Sequence, residues 1–239
     1  IEGSYPPSIT YLEEHYGIQI IQGTELSCMD YKRGRKVHML CYLPEKPDRL
    51  EGHCIKICKR REEAGKKMLK KVQTYFPITT EDVLKYSAHS TSLYKQHIMK
   101  ALMSYSYTTQ MYGGLYHELF DSKEGRVYED VEYPDVYEVL DLIHQSQGIA
   151  VLAHPYEYNS LELLKELAES KKLDGVEIYH SRCKTDDEKN LIEIAKAHEL
   201  LMTGGSDFHG ANSSKPSPLG NRYTSQELLD TLFKFKESQ

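Results

Sequence analysis

Three aliphatic runs in this chain end in side chains that hold metal ions. His154 closes Ile149-Ala-Val-Leu-Ala and precedes Pro155, Asp207 and His209 follow Leu200-Leu-Met-Thr-Gly-Gly-Ser206, and Glu25 closes Ile18-Gln-Ile-Ile-Gln-Gly-Thr24. In parallel α/β sheets and barrels, ligand-binding groups collect at the carboxyl ends of strands. Glu, His and Asp-x-His at three separate strand ends are therefore expected to converge on one pocket. Residues two apart in an extended segment point the same way, so Asp207 and His209 are expected to face that pocket while Phe208 turns into the core. Gly204, Gly205 and Gly210 permit a tight turn there. His38 lies inside Val37-His-Met-Leu on the side shared with Leu40. It reads either as a buried histidine with a hydrogen-bond partner or as a ligand at the pocket mouth.

Carboxylate oxygen mixed with imidazole nitrogen suits zinc, manganese or iron; calcium prefers an all-oxygen shell. Several such ions a few ångströms apart clamp a phosphoryl group and acidify a bridging water, which as hydroxide is the nucleophile. No Gly-x-Ser-x-Gly elbow, P-loop or dinucleotide fingerprint competes with this chemistry.

The elements that must carry these groups are short. Gly17–Glu25, Val37–Tyr42, Gly148–His154, Asp174–Tyr179 and Leu200–Gly205 read as strands, with apolar faces that suggest burial on both sides. Pro134–Gln147, Leu161–Lys172 and Thr185–Leu200 carry helical spacing, and Thr185-Asp-Asp-Glu188 has the pattern of a capping box. Strands alternating with helices over the last hundred residues predict an α/β fold with parallel strands. Residues 44–133 are Tyr-rich and poor in strand signals. They are expected to form a helical insertion, or cap, between barrel parts 1–43 and 134–239. Within it, Arg49–Val72 holds nine basic and three acidic residues, whereas His117–Asp141 holds two and nine. These runs read either as two solvated faces of one helical module or as a phosphate-attracting wall.

With 239 residues, the chain can bury a core without disulfides and is expected to form one or two domains. A net charge of −6 argues against a wholesale nucleic-acid coat. No run of about 18 apolar residues exists to span a membrane, and the start has no signal-peptide pattern. The five cysteines read as free thiols in a reducing compartment, so the expected location is cytoplasmic. Cys54 and Cys58, one helical turn apart, read as plain packing or as a two-thiolate clip. The chain opens on Ile1, not Met, which suggests a missing upstream segment. No obligate protein partner is evident.

The motifs resemble those of the PHP (polymerase and histidinol phosphatase) metal-dependent phosphoesterases. Gly23-Thr-Glu25-Leu-Ser, Val37-His38-Met-Leu-Cys-Tyr42, Ala150-Val-Leu-Ala-His154-Pro155, Asp174-Gly-Val-Glu177-Ile-Tyr179 and Gly204-Gly-Ser-Asp207-Phe-His209-Gly210 match that family's motifs in order. The likeness is greatest to the subgroup with a helical insertion, which acts on nucleoside 3′,5′-bisphosphates and short oligoribonucleotides. The resemblance implies a distorted seven-stranded β/α barrel with up to three divalent ions (Mn, Zn or Fe) at its mouth. By the same likeness Glu25, His38 and His154 hold one ion, Glu25 bridges to a second, and Asp207 and His209 serve the other two. Lys95-Gln-His97-Ile-Met-Lys-Ala-Leu resembles a stretch with Arg in the Lys95 position, so Lys95 and His97 are implied to meet substrate phosphate. For His97, a place in the core of the insertion is the other reading. Glu177 and His180 are expected near the pocket or in a structural role.

The family's opening His-x-His and Thr-Asp-His motifs are absent from these residues. The implied function is a phosphoesterase acting on a small phosphorylated substrate or a short oligoribonucleotide. The alternatives are a disabled metal- or nucleic-acid-binding module, a histidinol-phosphate phosphatase, and a related C–N hydrolase.

Overall fold

Alternation along Arg35-Lys-Val-His-Met-Leu-Cys-Tyr42 fixes the outer part of the sheet. Val37, Met39 and Cys41 are buried on one face, and His38, Leu40 and Tyr42 stand half-buried on the other. This stretch is β2 (Arg35–Tyr42), and it pairs antiparallel with β1 (Gly23–Asp30) from Gly23 opposite Tyr42 to Asp30 opposite Arg35. The computed structural model describes residues 9–210, 213 and 217–239.

The described strands form one five-stranded sheet in the order β1-β2-β3-β4-β5, against the seven implied by the resemblance. β3 (Ile149–Leu152) runs antiparallel to β2. β4 (Gly175–His180) and β5 (Leu201–Gly205) continue parallel to it, as strand–helix alternation requires. The joining helices are α7 (Leu161–Glu169) and α8 (Thr185–Ala197), with α6 (Val136–Gln145) entering β3 and α9 (Gln226–Glu237) following β5. α6 packs on β1, β2 and β3, opposite the face bearing Leu40 and Tyr42. The latter residues meet Ile149, Val151, Leu201 and Leu232 in a small core.

Several expectations need correction. Glu25 does not close a strand: β1 begins at Gly23, so Glu25 is its third residue. Gly17, at φ +62°, ends the turn after α1 (Ile9–Tyr16), and Ile18–Gln22 remain irregular. The stretch Leu26–Asp30, poor in β-branched residues, is strand because β2 pairs with it along its whole length. Thr185 is not an N-cap. It is the first helical residue, behind Lys184, and no side chain caps that end.

Contacts divide the chain into two units, Ile1–Gly52 with Tyr133–Phe208 and Ser217–Gln239, and His53–Glu132 with His209–Pro216. The described part of the second is helical: most of α2 (Asp48–Val72), then α3 (Thr80–Ser87), α4 (Lys95–Ser104) and α5 (Gly114–Phe120). Thr79 and Asp82 close a capping box on α3. Its own core gathers Met68, Val72, Ile98, Met99, Leu102 and Phe120. Within this unit Lys71 pairs with Glu129 at 2.6 Å and Arg60 with Glu132 at 3.7 Å, so part of the basic run faces the acidic one. All five cysteines are free. No helix among the described residues is long and apolar enough to cross a membrane.

Candidate metal centre

The β1–β2 register brings the first two donors together. Glu25 pairs with Leu40 and His38 with Ser27, so Glu25 and His38 are diagonal neighbours on one face of the hairpin. The third donor, His154, lies two residues beyond β3, whose four residues are fully buried. One donor atom from each of Glu25, His38 and His154 falls within 4.8 Å of the others. Glu25 Oε1 lies 3.2 Å from His154 Nε2 and also abuts His38 Nδ1, so one carboxylate oxygen serves two imidazoles.

Burial works against the charge on Glu25, but the two imidazoles outweigh it and hold the carboxyl well below the usual carboxylate range. Burial pushes His38 down despite Glu25, which leaves it a neutral donor near pH 7. Burial also opposes the charge on His154, yet Glu25, Glu177 and Asp207 together raise it. His38 Nε2 and His154 Nδ1 are buried with no hydrogen-bond partner. Two imidazoles converging on one carboxylate fit a divalent cation, whose mixed nitrogen–oxygen shell this set supplies.

A backbone irregularity extends the site. Residues 177 and 180 would face opposite sides of a regular strand. The β4–β5 register shifts between Glu177 and Tyr179, and this bulge turns both Glu177 and His180 towards His154. Gly204 permits the close approach, since a Cβ there would sit 2.5 Å from that of Tyr179. Glu177 Oε2 accepts the His154 main-chain N–H at 2.9 Å, and burial raises the Glu177 carboxyl. The His180 and His154 rings lie 5.2 Å apart. His180 Nδ1 accepts the N–H of Arg182 at 3.4 Å, and its Nε2 faces Asp207 Oδ2 at 3.5 Å.

Asp207 follows β5 at φ +48° and His154 has φ +28°, conformations that cost non-glycine residues energy and cluster at functional sites. Beside them opens a cavity of about 340 Å³, lined by His154, Tyr156, Glu177, His180, Arg182 and Cys183 among others.

The structure thus assembles Glu25, His38 and His154, with Asp207 joined to His154 through His180. Phe208 does not enter the core: it is 56% exposed, because the chain leaves the sheet at Gly205 and the Asp207 turn breaks the alternation. His209 is exposed and belongs to the second unit. Lys95 and His97 lie in that unit as well. Lys95 Nζ donates to Phe120 O at 3.3 Å and lies 4.4 Å from the Tyr128 ring centroid, while His97 Nδ1 accepts the N–H of Tyr94. Burial lowers His97. Sequence reasoning missed Arg182, which reaches Glu157 at 2.7 Å and Asp207 at 3.9 Å. It also missed Tyr158, whose ring stands 4.9 Å from that of His38 and 5.4 Å from that of His154. The available signal was spacing, four residues after His154 across a turn.

A carboxylate and two imidazoles brought together by a mixed sheet define a class, the α/β proteins whose mixed oxygen–nitrogen donors suit a divalent ion. No family model matches the chain. The phosphoribosyl 1,2-cyclic phosphate 1,2-diphosphodiesterase of Eggerthella lenta is 36% identical over 202 residues, which are 83% of this chain and 76% of that enzyme. The 5′-3′ exoribonuclease Rnm of Escherichia coli is 34% identical over 86 residues, 34% of this chain and 29% of its own. Among solved structures, a chain from Bifidobacterium adolescentis assigned as a metal-dependent phosphoesterase superposes with TM-score 0.78 at 26% identity, covering 94% of this chain and 79% of that one. The protein belongs to this PHP-like phosphoesterase family and is a metal-dependent phosphoric ester hydrolase.

Proposed function

We propose that the chain hydrolyses a small ribose phosphoester, with a cyclic phosphodiester such as phosphoribosyl 1,2-cyclic phosphate as its first substrate. The observation that carries this reading is the match along 83% of the chain to an enzyme named for that substrate. A second reading, a nucleoside 3′,5′-bisphosphate or short oligoribonucleotide, rests on the shorter match to an exoribonuclease.

Divalent ions bound here would neutralise phosphoryl oxygens and acidify the attacking water. Glu25, His38 and His154 hold the first ion, and Asp207 and His209 serve further ones, up to three in all. Asp207, His209 and Glu25 are the groups on which turnover depends most. Lys95 and His97 belong to the same reading as phosphate-binding groups of the second unit. Glu177 and His180 fix the orientation of His154 and Asp207.

The test is phosphate-ester cleavage by manganese- and zinc-loaded protein of verified mass. Its substrates are phosphoribosyl 1,2-cyclic phosphate, adenosine 3′,5′-bisphosphate, a short oligoribonucleotide and histidinol phosphate. Fastest turnover of the cyclic phosphate supports the first reading. Preference for the bisphosphate or the oligonucleotide replaces it with the second. Bound metal without cleavage of any of them overturns both.

A further inference from the structure

The β1–β2 hairpin carries four basic residues close together, and three of them are already engaged. Lys32 meets Glu166 at 2.8 Å, and Arg33 meets Asp30, Glu162 and Glu166. The Arg35 guanidinium donates to the carbonyl of Asn159. Arg182, at the cavity, is paired with Glu157. Lys36 differs. Its ammonium lies 5.0 Å from the centroid of the Tyr133 ring and 6.0 Å from that of Tyr158. Among the described residues it makes no ion pair with a carboxylate. Aromatic faces attract an ammonium but accept few of its three N–H groups in hydrogen bonds.

The position of Lys36 is set by the strand. Two residues before His38, it stands on the same face as His38 and Glu25, about 7 Å further along β2. Tyr158 links the two places, since its ring centroid lies 4.9 Å from that of His38, 5.4 Å from that of His154 and 6.0 Å from the Lys36 ammonium. A half-buried cation, held in place by two rings and with donors to spare, therefore lies beside the centre where a phosphoryl group is to react.

We propose that Lys36, held between Tyr133 and Tyr158, binds a second anionic group on the substrate, one ribose-length away from the phosphoester being cleaved. The inference rests on the phosphoesterase reading for what occupies the neighbouring centre. It extends that reading by assigning selectivity to one side chain: the preferred phosphoester carries an additional phosphate or carboxylate. Arg in place of Lys keeps the charge and the ring contacts, whereas Met keeps the apolar stem and removes the charge.

The experiment compares ribosyl 1,2-cyclic phosphate with and without its 5-phosphate, against wild type, Lys36→Met and Lys36→Arg. Calorimetry on metal-free protein gives binding, and metal-loaded protein gives kcat and KM. The 5-phosphate should tighten wild-type binding about tenfold or more. Lys36→Met should lose that advantage while its binding of the 5-dephospho compound, its metal content and its kcat are unchanged, and Lys36→Arg should keep most of it. The proposal is overturned if the advantage survives in Lys36→Met, if wild type does not distinguish the pair, or if both ligands weaken equally. A Lys36-dependent preference in binding without turnover keeps the subsite and removes the activity reading instead.

Discussion

The main-chain N–H of His154 donates to the buried carboxylate of Glu177 across the β3–β4 boundary, at 2.9 Å, while His154 itself is held at φ +28°. A donor histidine in a strained conformation keeps its aim only if its backbone is tied down. Glu177 does this from the bulged segment of β4. Glu177→Ala leaves the N–H without its acceptor, at a cost of about 1–3 kcal/mol. We expect a lowered melting temperature and metal affinity reduced about 10–100-fold by calorimetry. Glu177→Gln retains an acceptor oxygen and should recover most of both. Equal metal affinity in wild type and Glu177→Ala would remove the positioning role.

Replacing a donor should separate metal loss from fold loss. Glu25→Gln, His38→Ala and His154→Ala each remove one member of the three-residue set, and each should lower bound metal in elemental analysis while far-ultraviolet circular dichroism stays at the wild-type level. Asp207→Asn should cut turnover by at least about 100-fold, the rate equivalent of about 3 kcal/mol of charge stabilisation. Retained turnover in Asp207→Asn would strip Asp207 of its role.

How much of this was legible in sequence differs from element to element. β3, β4 and β5 were readable because each is a short run led by aliphatic residues, buried almost throughout in β3 and β4 and alternately in β5, and His154 and Asp207 lie two residues past β3 and β5. β1 was misplaced because its strand character comes from pairing with β2 and not from composition: Gly23-Thr-Glu-Leu-Ser-Cys-Met-Asp30 holds few β-formers. Phe208 was assigned to the core by an alternation that the left-handed turn at Asp207 interrupts. Glu177 and His180 were expected near the pocket or in a structural role, but the bulge that turns both to one side has no spacing signal of its own, and period-two reasoning sends them to opposite faces. Lys36 was hidden for a different reason. A lysine in a basic hairpin reads as solvated charge until the partners of its neighbours are known.

His144 gives a pH-dependent term away from the metal centre. Near the C-terminal end of α6, its Nε2 lies 3.7 Å from Asp174 Oδ2, and that carboxylate raises it. Asp174 Oδ2 also accepts the N–H of Ala150 at the start of β3, so the pair ties helix to strand. A raised folded-state value means the protonated form is favoured in the folded protein. The stabilisation is complete below the unfolded value of about 6.5 and disappears as pH rises through the folded one. The side chain is 41% exposed, so the term is only about 0.3–0.5 kcal/mol. In urea denaturation, His144→Gln should be less stable than wild type at pH 5.5 and indistinguishable at pH 8.5. A difference that grows with pH would reverse the assignment.

Metal binding should itself move protons, and the donors differ in how. Glu25 is held ionised and His38 is pushed down by burial, so both are ready to bind near neutrality. His154 is raised by the carboxylates around it, so in metal-free protein it must give up a proton before its nitrogen can serve as a donor. Calorimetric titration with manganese at pH 6 should therefore show a heat that depends on the ionisation enthalpy of the buffer. That dependence should fade as pH rises above the raised value of His154, and apparent affinity should drop about tenfold per pH unit below it. In Glu25→Gln the raising contact is gone, so the onset of proton release should move to lower pH along with the weaker binding. A buffer-independent heat at pH 6 would mean that His154 is already neutral in the metal-free protein.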